Sequence, residues 1–198
     1  MTTTTAASAP PTISAPARRR FTVAEYYAMA YAGILSENDR VELLAGDLIV
    51  MPPIGDWHAA RVNLFTNLLP PRLEGRAIVS IQNPTRLDNA SEPQPDVLLL
   101  QWRDDFYGSG HPGPADVLLL IEVSDTALDF DRNVKLPLYA LAGIPEVWIV
   151  NRPSRCIEAY TEPSGNEYAT VRYFGPGETV APQAFPDITL AVDRIIGE

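Results

Sequence analysis

The sequence predicts an α/β (α+β) fold, a mixed β-sheet flanked by helices. Segments with helical spacing alternate with short apolar runs, several of those runs pair as hairpins, and no segment repeats. Strands separated by helices favour parallel neighbours and hairpins enforce antiparallel ones, so both kinds of pairing are expected in one sheet.

The elements follow in order. The opening "MTTTTAASAPPTISAPARRR", residues 1–20, is Thr, Ala, Ser and Pro closed by three arginines. It cannot bury enough apolar surface to fold and is expected to be a disordered tail, leaving residues 21–198 as a single domain. In "FTVAEYYAMAYAG", Thr22 and Glu25 have capping-box spacing and Gly33 is placed to end a helix. "DRVELLAGDLIVMPP" reads as two short strands around Ala45-Gly46-Asp47. A second helix runs through "DWHAARVNLFTNLL", with Val62, Leu64, Phe65, Leu68 and Leu69 on its apolar face and Pro70-Pro71 as its stop. "AIVSIQ", "PDVLLLQ" and "ADVLLLIEV" are strands. A third helix spans about Phe130 to Ala142, with Pro137 as a kink or a delayed start and Gly143 as its end. "EVWIVN" returns to the sheet, with Trp148 in the core. "RCIEAYTE" and "EYATVRYF" form a hairpin around "PSGN", and "AFPDITLAVDRIIG" closes the fold with a short helix.

Composition bounds the function. At 198 residues the chain can bury a core without metal or disulfide staples. No apolar run is long enough to span a bilayer, and the expected location is the cytoplasm. The one cysteine, Cys156, excludes an internal disulfide and a cysteine-based metal cluster; within "SRCIEAY" it is expected as a small core side chain. A net charge of −10 lacks the basic footprint usual in nucleic-acid binders, and that weighs against any such function.

The informative residues are acids inside apolar strands. Period-two geometry in "ADVLLLIEV" puts Asp116, Leu118, Leu120 and Glu122 on one face and Val117, Leu119, Ile121 and Val123 on the other. Glu122 therefore shares a face with core leucines, and an unpaired carboxylate there costs several kcal/mol; the alternative is a strand emerging into water at that point. "QPDVLLL" carries Asp96 at its start. Strands roughly 4.8 Å apart can bring Asp96 and Glu122 close enough to share one cation. Oxygen ligands with few histidines indicate Mg²⁺, with Mn²⁺ as a substitute, over zinc. Lys135 is the one lysine beside fourteen arginines. It lies one to two turns into the following helix, roughly 7 Å along the axis, so it can return to the strand end that carries Glu122. A compact, tunable ammonium retained once indicates a task for lysine itself, although an arginine-biased composition also leaves stray lysines. Glu42, on a strand face with Leu44, is left unassigned by spacing alone.

The order Glu42, Pro95-Asp96, Glu122-Val123-Ser124 and Lys135 resembles the PD-(D/E)xK nuclease superfamily, with its restriction-endonuclease-like fold. The blocks "RVELLAGDLIVMPP", "QPDVLLL" and "LLIEVSDTALDFDRNVKLPLYALAGIPEVWIVN" are more closely similar to its Uma family, over nearly the whole chain after the tail. The resemblance implies that Asp96, Glu122 and the Val123 carbonyl bind a catalytic metal and that Glu42 is an accessory acid. It implies that Lys135 polarises the attacking water or steadies the transition state. The motif lysine two residues after Glu122 is replaced here by Ser124, and the resemblance implies that its role has moved to Lys135.

The function expected on this basis is Mg²⁺-dependent hydrolysis of nucleic acid, DNA first, by an endonuclease working as a homodimer. The alternatives are a non-catalytic binding or scaffold protein that keeps the fold and a phosphodiesterase of small nucleotides. His58 is expected as a surface or helix-start residue, with substrate contact as the alternative, and His111 as a solvated loop residue. Arg18-Arg19-Arg20 is expected as solvating charge, with phosphate-backbone contact as the alternative. The two histidines are too far apart in sequence to suggest a zinc site. "GSGHPGPAD" lacks the spacing and lysine of a phosphate-binding loop.

Overall fold

The computed structural model describes residues 18–36 and 38–197, so residues 1–17 of the expected tail lie outside it. Helix α1 (Val23–Tyr31) begins with the expected capping box: Thr22 Oγ1 accepts from Glu25 N, and the Thr22 N–H donates to the Glu25 carboxylate. Strands β1 (Val41–Leu44) and β2 (Asp47–Val50) form a two-stranded hairpin. Its turn residues Ala45 and Gly46 both have positive φ, as a tight two-residue hairpin requires. Arg18 and Arg20 pair with Asp47 at this hairpin, and Arg19 pairs with Glu25. Helix α2 (Asp56–Leu68) runs almost directly into the short α3 (Pro70–Leu73), because Pro at the first turn of a helix gives up no needed N–H. The expected stop at Pro70 is thus a break followed by one more turn.

The central sheet has six strands: β3 (Ala77–Ile81), β4 (Val97–Gln101), β5 (Val117–Ser124), β6 (Glu146–Asn151), β7 (Cys156–Ser164) and β8 (Glu167–Phe174), in sequence order. Only β5 and β6 are parallel, and a helical connection joins them. That connection is α4 (Leu128–Phe130), a π-helical segment (Asp131–Lys135) and α5 (Leu136–Ala142), ended by Gly143 at φ 79°. The helical stretch thus starts two residues before the expected Phe130, and the irregularity expected of Pro137 lies just ahead of it as the π segment. Strands β9 (Thr179–Val180) and β10 (Leu190–Ala191) pair beside α6 (Val192–Ile196).

Two cores cover the sheet. Phe65 and Leu68 of α2, Leu73 of α3 and Ile195 of α6 pack with Leu99, Ile121, Val123 and Trp148. On the other face Tyr139 of α5 packs with Leu98, Leu100, Leu120 and Val147. The alternation expected along β5 needs a correction. Leu99 pairs with Leu119 but Leu100 with Val117, so Leu118 is the extra residue of a β-bulge. The bulge shifts the phase: Val117, not Leu118, joins Leu120, and Asp116 belongs to a 3₁₀ turn before the strand. Beyond the bulge period two holds, and Glu122 shares the Leu120 face as expected. Cys156 is only half-buried, at the edge of the core rather than inside it.

Leu99 is fully buried between both sheet neighbours, so Leu99→Ala should cost about 2–5 kcal/mol of stability. Thr22→Ala, which removes a helix cap, should cost about 1 kcal/mol. Urea unfolding of the two variants checks both values, and a Leu99→Ala loss no larger than that of Thr22→Ala would contradict the packing described.

Candidate active site

A half-open cavity of about 350 Å³ lies where β1, the start of β4, the end of β5, the first turn of α2 and the π segment converge. Glu42, Asp96, Glu122, Val123 and Lys135 all line it, so the sequence-expected residues come together in one place. The register explains how. Val97 pairs with Ile121, and one step further Asp96 stands beside Glu122 at the rim of the sheet. Asp96 is fixed there by the Val123 N–H, which donates to Oδ2 at 2.8 Å, and by Gln82 Nε2, which donates to Oδ1 at 3.2 Å.

Glu122 is 3% exposed and Lys135 is 3% exposed. Lys135 Nζ lies 3.2 Å from Glu122 Oε1 and 3.3 Å from Glu42 Oε2, a contact too poorly aligned to give Glu42 Oε2 a hydrogen bond. Tyr139 donates its hydroxyl to Glu122 Oε1 at 2.5 Å. The π segment makes this possible. Its wider turn, closed by Leu136 N to Asp131 O, carries Lys135 to the strand, while Ser124 Oγ donates to Asp131 Oδ2 at 2.6 Å. Ser124 therefore ties down the helix that delivers Lys135.

The electrostatics follow from burial. Desolvation pushes the Glu122 carboxyl up to about 8, against the lowering pull of Lys135 and with repulsion from Asp131, Asp96 and Glu42 adding to the rise. Burial also raises Glu42 and Asp131 above the ordinary carboxylate range. Burial alone would lower the Lys135 ammonium, but attraction to Glu122, Glu42, Asp131 and Asp96 outweighs it and holds Lys135 above its ordinary value. Lys135 is a fixed positive charge, not a proton acceptor.

Three further residues belong to the site beyond those expected from the sequence. His58 sits in the first turn of α2 as expected but is half-buried: its Nε2 lies 2.8 Å from Asp96 Oδ1, outside hydrogen-bonding alignment, and it lines the cavity. Asp131 is a fourth buried acid at the site, and Tyr139 holds Glu122. Asp131, Lys135 and Tyr139 are spaced four apart, one helical face, and that signal was available in the sequence. His111 is exposed as expected and stacks 6.4 Å from Tyr27.

Four carboxylates thus face one ammonium and one imidazole. Among the described residues no three His, Cys, Asp or Glu side chains form a ready-made metal cage. Mg²⁺ needs no such cage, since it is held by one or two carboxylates and keeps several waters. Glu42 Oε2, which has no hydrogen bond although Lys135 lies 3.3 Å away, the excess negative charge and the carboxylate oxygens fit that ion.

Residues 23–193 match the family described as "Uma2: Putative restriction endonuclease". The chain belongs to the Uma2 family. Among solved structures it is similar to a crystal structure titled a putative nuclease of DUF820, from Anabaena variabilis ATCC 29413. The TM-score is 0.64 at 14% identity, covering 84% of this chain and 94% of that one. At that identity the likeness shows a shared fold. No curated protein matches the chain. The family description points to a nuclease-like protein, and the neighbour shares the mixed sheet flanked by helices. Among the described residues no helix is long and apolar enough to cross a membrane.

The Glu122 shift has a measurable consequence. Folding raises this carboxyl from its ordinary 4.5 to about 8. Between those values the folded state holds a proton that the unfolded state has lost, so its contribution to stability falls as pH rises through that window. Without divalent metal, the melting-temperature advantage of Glu122→Gln over wild type should therefore grow from pH 5 to pH 9. A difference independent of pH would contradict the assignment.

Proposed function

We propose that this Uma2 protein is a Mg²⁺-dependent phosphodiester hydrolase acting on nucleic acid, DNA first, with Mn²⁺ able to substitute. The observation that carries the reading is the convergence of Glu42, Asp96, Glu122 and Asp131 on one cavity with a single buried lysine. Asp96 and Glu122, with the Val123 carbonyl, would hold the metal. When bound it would supply Lewis acidity, activating water and neutralising charge on the scissile phosphate.

The chain's own groups do the rest. Lys135 and Tyr139 hold Glu122 by Oε1, which fixes the carboxylate plane before substrate arrives. The Val123 N–H and Gln82 do the same for Asp96. Lys135 places an oriented positive charge next to the reacting phosphate, in a site where burial strengthens it. The motif lysine's absence from position 124 leaves the chemistry intact on this reading, because Lys135 reaches the same acid from the helix. Arginine could keep the charge at 135 but not the compact head that fits between Glu42 and Glu122.

Calorimetric Mn²⁺ titration and nicking of supercoiled DNA, on the same samples, test this. Wild type should bind Mn²⁺ and nick DNA, and Glu122→Gln should lose both. Lys135→Arg should keep metal binding while cleavage falls by about 10²–10³-fold, the usual loss for one charge-stabilising donor. Absence of metal binding by the wild type would overturn the proposal.

A further inference from the structure

The floor of the cavity is acidic and the chain carries a net charge of −10, so a polyanionic strand needs local positive charge beside the site. Several arginines are engaged elsewhere. Arg76 pairs with Asp187, Arg103 with Asp105, and Arg132 with the wholly buried Glu158, all away from the cavity. Arg61 and Arg155 donate to carbonyls near the end of α6.

Two are placed differently. Arg40 lines the cavity, two residues before Glu42, and is exposed. Its side chain donates to the Pro52 carbonyl, and no ion pair to a carboxylate forms among the described residues, although acids line the same cavity. A guanidinium has five donors, so most of them remain for an incoming anion. Arg152 follows β6 directly. Its N–H donates to the Ser124 carbonyl, which sets it at the carboxyl ends of the parallel pair β5–β6, beside the strand end that carries Glu122. Its guanidinium lies 5.1 Å over the Trp57 ring and 2.5 Å from Asp125, an acid that lines the cavity, and its side chain is 46% exposed.

Trp57 and His58 are successive residues of α2, about 100° apart around the helix axis. Trp57 carries Arg152, whereas His58 lines the cavity that Arg40 also lines. The two arginines therefore come from separate elements, Arg40 ahead of β1 in the cavity wall and Arg152 after β6 beside the cavity-lining Asp125. We propose that Arg40 and Arg152 each take a backbone phosphate flanking the one over Glu122, so that the substrate is a polynucleotide strand rather than a single small phosphodiester. This rests on the nucleic-acid reading of the cavity and names the residues that hold the strand. Arg152 is presented by the Trp57 ring, and phosphate displaces Asp125 from it, exchanging one anion for another. Arg40 needs no such exchange.

Binding of labelled duplex and single-stranded DNA, followed by anisotropy across a salt series with Ca²⁺ and again with EDTA, tests the clamp without any cleavage. Each phosphate contact contributes about 0.9 to the slope of log K against log salt for duplex and about 0.7 for single strands. Arg40→Gln and Arg152→Gln should each lower the slope by that amount, and Arg103→Gln on the far loop should not. Asp125→Asn should tighten binding, a direction that misfolding does not produce. That gain should shrink when Arg152→Gln is already present, since the two residues are coupled. Wild type that binds neither DNA, unchanged slopes, or an Asp125→Asn gain indifferent to Arg152 would each overturn the clamp. Failure of cleavage with these slopes intact would sink the hydrolase reading and leave the clamp standing.

Discussion

The repulsion among four carboxylates held in one cavity is the constraint around which the rest of the site is arranged. Glu42, Asp96, Glu122 and Asp131 arrive from three strand segments and one helical segment, and each is nearly removed from water. Such a set is tolerated only when its members are hydrogen-bonded and a positive charge lies among them. The structure meets this with backbone and side-chain donors on Asp96, a tyrosine on Glu122, a serine on Asp131 and one ammonium between Glu42 and Glu122. Glu42 Oε2 is left without a hydrogen bond, and the site as a whole is short of positive charge.

The architecture serves that arrangement. Antiparallel pairing of β4 with β5 sets Asp96 next to Glu122, and the parallel pairing of β5 with β6 forces the chain through a helical crossover. That crossover passes directly over the acids, and its π turn delivers Lys135. The hydrophobic cores on both faces make the central sheet rigid, so Asp96 and Glu122 keep their separation under mutual repulsion, while Glu42 comes from the separate β1–β2 hairpin. A site built on strand ends and one braced helix is a preorganised one, as charge stabilisation of a transition state requires.

Much of this was legible in the sequence, for physical reasons. The capping box at Thr22, the Ala45-Gly46 turn and Gly143 are local signals, and each does in the fold what its chemistry demands. Glu122 stood out because an acid among core leucines needs a partner, and the lone lysine supplied one. The misses are those that local pattern cannot carry. The bulge at Leu118 depends on a partner strand, so alternation misplaced Asp116 and Leu118. The helix-start position of His58 was legible, but nothing near it in sequence reveals that Asp96, thirty-eight positions on, lies against it. Asp131 and Tyr139 share a helical face with Lys135, a four-residue spacing that the sequence does carry. Glu42 had no assignment from spacing, and only the tertiary contact with Lys135 explains it.

The net acidity of the chain, unusual in a nuclease-like protein, becomes less discordant once its charges are located. Part of it is the acid cluster itself, which a divalent ion would offset. The most direct test is anomalous diffraction from crystals soaked in Mn²⁺. A single strong peak within coordination distance of Asp96 and Glu122, absent from crystals of Glu122→Gln, is the result this account predicts. Well-ordered crystals whose Asp96–Glu122 cavity stays empty of metal while Mn²⁺ is found elsewhere would contradict it.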